Sequence, residues 1–479
     1  MNNTNIMKQI KIIVLLLLGV VVSSCESDYL EPVPSSGTTA DSYFSDADEV
    51  YTAVINMYDG IQGTNSTDTD DNHSVMYEFY LTEMRSDNTR TKSSEGESAQ
   101  FESYNVEATN GIVKDYYSSF YNIIYRANVV LDNLDAIDEA SVSAAYEGEA
   151  KFVRAYAYFN LVRLYGDIPL VDRVISPLET DIQFARVASA TVYELIVSDL
   201  LTAIETLDNS YRTRASRAAA QGLLAKVYLT LGKYPEARSL CEDVIGSGYE
   251  LEDNFKDVFY NETNSEVIFS VGYVSDLDSD SQNFSAEWLN AVGRTSGVNY
   301  VTDEAVAALD LLGGNRTAYS YRPDPSQAGQ YQVVKYLPNG DADLGIDPVS
   351  SDPTLAGNDW IVLRLADVLL MHVEAIMAGA QETNDPDALA SFQKVRNRAG
   401  LTDVVGLITK QDLLDERRVE LAFENQRLFD LMRFGQAESV LSAFSTANNY
   451  GYSSSDLLLP LPQNEINLSN GMLTQNPGY

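Results

Sequence analysis

The stretch from Glu149 to Leu170, EAKFVRAYAYFNLVRLYGDIPL, restricts the fold more than any other part of the chain. Phe152, Val153, Tyr156, Tyr158, Phe159, Leu161, Val162, Leu164 and Tyr165 lie on every side of a helix drawn through it. A helix apolar all round must be wrapped by other helices. Lys151, Arg154, Asn160 and Arg163 do not gather on one stripe, so some need partners inside the packing. Gly166 can take the left-handed conformation that ends a helix, and Pro169 bars its continuation. The expectation is a large, mainly α domain built around a central helix.

Other segments agree. Helical periodicity marks Ala47–Tyr58, with Ser45 or Asp46 as its cap, then Val113–Ile137 and residues 190–208. In residues 214–246, Ala225, Tyr228, Gly232, Tyr234 and Ala237 follow the small, aromatic, glycine, aromatic, small order of a tetratricopeptide hairpin. Small residues let two helices approach and aromatics fill the groove between them. Cys241 falls on the second helix and reads as an inert core thiol. Residues 250–360 lose the helical period and gain Asp, Ser, Gly, Asn and Pro, with β-like runs at Val267–Tyr273 and Tyr331–Tyr336. Helices resume at Leu363–Met377. Asp385, Pro386 and Gly400 bound the next, and Thr409 with Asp412 begins another that carries LLDERRVELAFENQRLFDLMRFG. Leu414, Leu421 and Leu428 share a face of this helix, and Arg417 with Glu420, Glu424 with Arg427 and Asp430 with Arg433 are spaced for i,i+3 ion pairs.

The first residues are an address. Lys8 and Lys11 precede an apolar run from Ile12 to Val22, eleven residues long, against the ~20 a spanning helix needs. Residues 1–24 therefore read as a secretory signal peptide. It ends Val22-Ser23-Ser24-Cys25, which resembles the lipobox of bacterial lipoproteins, where the cysteine is acylated and becomes the new N-terminus. Glu26, Ser27 and Asp28 resemble a surface-export signal, and residues 29–40 read as a tether. The remaining boundaries are 25–249 for an N-terminal helical region, 250–360 for a loop-rich insert and 361–479 for a C-terminal helical region, all within one fold.

Composition excludes some functions. The formal charge is −38, and loss of Lys8 and Lys11 takes it to −40. Such a field repels phosphate backbones, so no nucleic-acid partner is expected. His73 and His372 are the chain's only histidines, and Cys25 and Cys241 its only cysteines. Neither a histidine-rich metal site nor a disulfide scaffold is expected, and no cofactor is called for. Asp276, Asp278, Asp280 and Glu287 mimic a calcium-loop spacing, but Ser281 replaces the turn glycine and no helix precedes it, so a solvated acidic loop is expected. Glu416, Glu420 and Glu424 share a helical face and invite a glycosidase reading. They alternate with arginines, so a structural ion-pair network is the expectation, with no catalytic residue. No nucleophile elbow, P-loop or dinucleotide fingerprint occurs.

Taken in order, RAYAYFNLVRLYGDIPLV, RLADVLLMHVEA (364–375), VRNRAGL (395–401), ERRVELAFENQRLFDLMRFG (416–435), LPLPQNEI (459–466) and the terminal TQNPGY resemble the SusD/RagB family of outer-membrane nutrient-uptake lipoproteins. His372, Val373 and Leu428 depart from the residues common there. The resemblance implies tetratricopeptide-like hairpins with a less regular, partly β ligand-binding section. It also implies a lipid-anchored protein at the cell exterior that captures oligo- or polysaccharide over a TonB-dependent transporter and performs no chemistry. A secreted glycoside hydrolase and a structural lid with little ligand affinity are the other readings. The acidity favours a neutral glycan such as a β-glucan. Sugar rings stack on aromatic faces beside planar polar groups. Trp288, in the insert, is the expected platform, with Tyr77, Tyr80, Arg85, Asn88 and Tyr300 as further candidates, while Trp360 reads as core.

Overall fold

The computed structural model describes residues 44–65, 72–91, 96–261, 264–289 and 299–479. The signal peptide, Cys25 and the tether lie outside these residues.

The long helices are α1 (Ala47–Gln62), α2 (Gly111–Asp132), α3 (Ala140–Tyr165), α4 (Ser189–Thr206), α5 (Arg217–Thr230), α6 (Tyr234–Ile245), α7 (Asp303–Leu312), α8 (Leu365–Met377), α9 (Pro386–Arg398), α10 (Lys410–Glu420), α11 (Arg427–Arg433) and α12 (Ala437–Asn448). The short α13 spans Gln463–Leu468. Strands are brief: β1 (Thr89–Thr91), β2 (Ile168–Pro169), β3 (Arg186–Val187), β4 (Val267–Val271), β5 (Asn299–Val301) and β6 (Trp360–Arg364), with a further pair at Tyr321–Pro323 and Tyr331–Val333.

α3 is the expected centre, and it begins nine residues earlier than its apolar core, at Ala140. From Gly148 to Tyr165 nearly every side chain is buried. Gly166, at φ 73°, closes the helix by donating its N–H to Val162. The polar residues find partners as required. Arg154 grips Asp199 through Nε and Nη2 at 2.8 and 2.9 Å and also reaches Asn128 and the Asp172 carbonyl. Arg163 lies over the rings of Phe159 and Phe429, 4.0 and 3.8 Å from their centroids.

Each helix from α1 to α6 packs on a sequence neighbour, the pattern of hairpin repeats, and α6 then packs on α8 rather than on the chain that follows it. The helical stack is thus continuous in space across the insert. The reason is β4, which pairs antiparallel with β6 so that Val271 faces Trp360 and Val267 faces Arg364. The insert leaves and returns at one place. Cys241 is fully buried, and burial pushes its thiol pKa up, consistent with an inert role.

The caps of the C-terminal helices are as expected. Asp385 accepts from Asp387 and Ala388, and Thr409 with Asp412 forms a reciprocal capping box. The long helix expected beyond Thr409 is broken, however. α10 ends at Glu420, and Phe423 and Asn425 take left-handed φ values of 64° and 59° before α11 begins. Of the expected i,i+3 ion pairs only Asp430–Arg433 forms, at 2.7 Å. Arg417 bridges Asp367 and Asp430, and Arg427 reaches back to Asp87. Glu420 and Glu424 turn to the insert instead. Glu420 meets Arg316, Arg364 and Arg398, and Glu424 meets Lys335 and Arg364. These charges fasten one part of the chain to another rather than decorating a helix surface.

Gly314 serves this fastening. It sits at φ 58°, and an added Cβ would lie 2.3 Å from the Ala399 carbonyl oxygen, at the end of α9. Two residues on, Arg316 enters the buried cluster. Gly314→Ala is expected to cost about 1–3 kcal/mol through left-handed strain and this backbone contact. Urea unfolding will check it, and a loss below ~0.5 kcal/mol, the range of ordinary surface changes, would refute it.

Candidate functional site

Four of the expected sugar contacts are buried and structural. Trp288 is 1% exposed. Phe79, Phe284 and Tyr336 surround its ring, with centroids 5.5, 6.3 and 5.4 Å away, and no face remains for a sugar. Trp360 belongs to the same aromatic cluster, as expected of a core residue. Arg85 is buried, its Nη1 donating to the Leu81 carbonyl, and the Tyr104 hydroxyl caps its own carbonyl. Burial holds its guanidinium pKa below the ordinary value. Asn88 is buried and accepts from Arg418 Nε at 3.0 Å. Tyr80 is also buried, with its hydroxyl on Glu287 at 3.1 Å. Tyr77 is half-buried, its ring stacked on His73 at 4.3 Å and edged by Tyr80 at 5.6 Å.

Tyr300 is also only half-buried. It lies on β5, which pairs antiparallel with β1, so that Arg90 stands directly opposite it. The guanidinium carbon of Arg90 is 5.9 Å from the Tyr300 ring and 5.8 Å from that of Tyr450. Arg90 Nη1 donates to Asn448 Oδ1 and Nη2 to the Tyr450 hydroxyl, both at 2.8 Å. Behind them, Glu102 accepts from the Tyr450 hydroxyl and from the Thr91 N–H, and lies 3.6 Å from Arg90. Although burial opposes it, Tyr300, Tyr450 and Glu102 together hold the Arg90 pKa above its usual value. Burial pushes the Glu102 carboxyl up. Tyr452, which donates its hydroxyl to Glu438 at 3.3 Å, meets Tyr104 edge-on at 5.0 Å.

The result is a half-buried guanidinium between two tyrosine rings, with an amide and a carboxylate beside it. This is a rigid array of flat faces and planar hydrogen-bonding groups, suited to a sugar and carrying no nucleophile–base pair. Arg90 and Tyr450 were not among the expected contacts. The alternating Thr89-Arg90-Thr91 is a strand signal that places Arg90 on one face, but its pairing with Tyr300 lies more than two hundred residues away and leaves no local mark.

The acidic candidates are accounted for. Glu416, Glu420 and Glu424 are 3, 0 and 3% exposed and each is ion-paired, as the structural reading expects. Asp276 accepts from the Ser351 N–H and hydroxyl and from the Asp352 N–H, so local donors occupy it, while Glu287 is buried against Tyr80. Among the described residues no group of three or more His, Cys, Asp or Glu could hold a metal ion.

Glu83 has no ion-pair partner among the described residues, and burial pushes its pKa up to about 7. It accepts from the Asn425 N–H at 3.0 Å, helping to hold the break between α10 and α11. A carboxyl raised on folding stabilises fully below its unfolded value of about 4.3, and that contribution is lost as pH rises through 7. Glu83→Gln is therefore expected to compare better with the parent at pH 8 than at pH 5. Melting temperatures at the two pH values will show it, and equal differences would remove the case for a raised Glu83.

Comparison with known proteins gives a consistent picture. A family model described as "SusD family" matches residues 311–479, and one described as "Starch-binding associating with outer membrane" matches residues 28–229. "SusD-like protein P25" of Formosa agariphila is 30% identical over 430 residues, covering 77% of this chain and 80% of its own. A solved "Laminarin binding SusD-like protein" superposes with a TM-score of 0.74 at 26% identity, over 90% of this chain and 99% of that one. "Surface glycan-binding protein A from Bacteroides thetaiotaomicron in complex with laminarihexaose" gives 0.74 at 21% identity, over 90 and 99% of the two chains, and bears on the fold.

Proposed function

Because this chain belongs to the SusD family, we propose that it is a cell-surface lipoprotein, acylated at Cys25, that captures a neutral oligo- or polysaccharide such as a β-glucan and delivers it to a TonB-dependent outer-membrane transporter. The observation that carries the binding role is the Tyr300–Arg90–Tyr450 array, which sets half-buried aromatic rings beside planar hydrogen-bonding groups. The 26%-identical relative named for laminarin supports a β-glucan. So does the charge of −38, which disfavours polyuronates. The half-buried Tyr77 stays a peripheral candidate, whereas Trp288, Tyr80, Arg85 and Asn88 are buried.

Native gels cast with laminarin, starch or alginate test this reading. Retardation by laminarin and none by alginate is expected, and retardation by alginate alone would overturn it. The anchor has its own test. Cys25→Ala should move the protein from the membrane fraction to the soluble one, since acyl chains contribute roughly 0.8 kcal/mol per buried CH₂. Retention in the membrane would sink the lipobox reading.

A further inference from the structure

A second cleft lies between α2, the loop at 171–184 and α13. It encloses about 390 Å³, within the range of small-ligand pockets. One wall is a tyrosine ladder. Tyr117, Tyr121 and Tyr125 are spaced i, i+4, i+8 and so share one face of α2. The first two rings are 4.8 Å apart, and the Tyr121 hydroxyl is fixed on the Pro169 carbonyl at 2.8 Å. Tyr125, the outermost rung, is 54% exposed. Phe184 and Pro177 come from the loop, whose base is closed by β2 pairing with β3 and whose turn is held by Arg173 on Glu179. The cleft is therefore built before any ligand arrives.

Its polar lining separates two kinds of occupant. The Ser118 hydroxyl, the Gln183 amide and the Glu465 carboxyl all border it, and none of these side chains hydrogen-bonds another described residue. An apolar side chain seated there would shut these groups off from water without partners, at about 1–3 kcal/mol each. A polyhydroxyl ligand would satisfy them while laying its C–H face on the tyrosines. An anionic sugar would bring a second negative charge beside the half-buried Glu465 carboxyl.

We propose that this cleft is a second binding site for the same neutral oligosaccharide, separate from the Tyr300–Arg90–Tyr450 array and resting on the glycan-binding reading above. Two sites on one chain would raise the avidity for a polymer over that for a short oligosaccharide.

Calorimetric titration of the full mature chain with laminarihexaose tests it. The expected stoichiometry is about two per chain in the parent and about one in Tyr125→Ala and in Tyr300→Ala alike, as for independent sites. A stoichiometry of about one that Tyr300→Ala alone abolishes would overturn the cleft and leave the glycan-binding reading standing. If Tyr125→Ala alone abolished it, the cleft would stand as the main site. No binding by the parent would overturn both. Tyr125 is exposed, so its loss should spare the fold, and a circular-dichroism melt within a degree or two of the parent is the control.

Discussion

Arg364→Ala is expected to destabilise the protein by about 3–5 kcal/mol, measured by urea unfolding. Arg364 ends β6, is 1% exposed and lies where the insert rejoins the helical stack. Its Nε donates to Glu424 at 2.7 Å, its Nη1 to Glu266 at 2.8 Å and Glu420 at 2.6 Å, and its Nη2 to the Glu420 carbonyl and Glu424, both at 2.8 Å. Removing it leaves several carboxylates in the core short of their compensating charge, the costly way to break a buried ion pair. Arg364→Lys keeps the charge but not the planar fork, so it should recover only part of the loss. A change under ~1 kcal/mol for the alanine variant, the size of an exposed ion pair, would mean that this cluster does not fasten the insert.

The same cluster sets an acid limit. Burial raises the Glu420 pKa, but Arg398, Arg364 and Arg316 outweigh it and hold the carboxyl well below the ordinary range, while for Glu424 Arg364 and Lys335 outweigh burial and lower the carboxyl. The stability contributed by such depressed groups is complete above the unfolded value of about 4.3 and is lost as pH falls through their lower folded values. Acid should therefore unfold the parent at a lower pH than Arg364→Ala.

The second large effect concerns binding. Tyr300→Ala is expected to weaken laminarin affinity about 30-fold at the array, or ~2 kcal/mol, the size of an aromatic hot spot. Tyr300→Phe should retain most of it, because the ring face makes the contact. Arg90→Ala should lose a similar amount by releasing Tyr450 and Asn448, to which it donates. The proposed cleft does not depend on these residues, so the weakened site is to be read from its own phase of the titration. If that phase were unchanged in Tyr300→Ala, the array would not be a glycan contact.

The local grammar of this chain was easy to read. Gly166, Asp385, Pro386, Gly400 and the Thr409–Asp412 box mark helix ends through interactions within a few residues, and the structure keeps each of them. The break at Phe423–Asn425 was not legible, because the run around it has good helical periodicity. It is imposed by contacts from distant segments, such as Glu83 on the Asn425 N–H. Aromatic candidates suffered from a related limit. Trp288 ranks above Tyr300 as a sugar platform in the sequence, yet Trp288 closes a core and Tyr300 is the one left half-buried.

By itself, then, the sequence determined the helical class, the hairpin repeat, the ends of its helices and the buried state of Glu149–Leu170, since each depends on periodicity or on neighbours along the chain. Tertiary structure decided which charges face inward and which rings are only half-buried. The ion-pair cluster joins residues from 266 to 424, and the array joins residues from 90 to 450. The burial and pairing of those side chains follow from how the insert closes through β4 and β6 onto the helical stack, a property of the folded whole that no window of sequence contains.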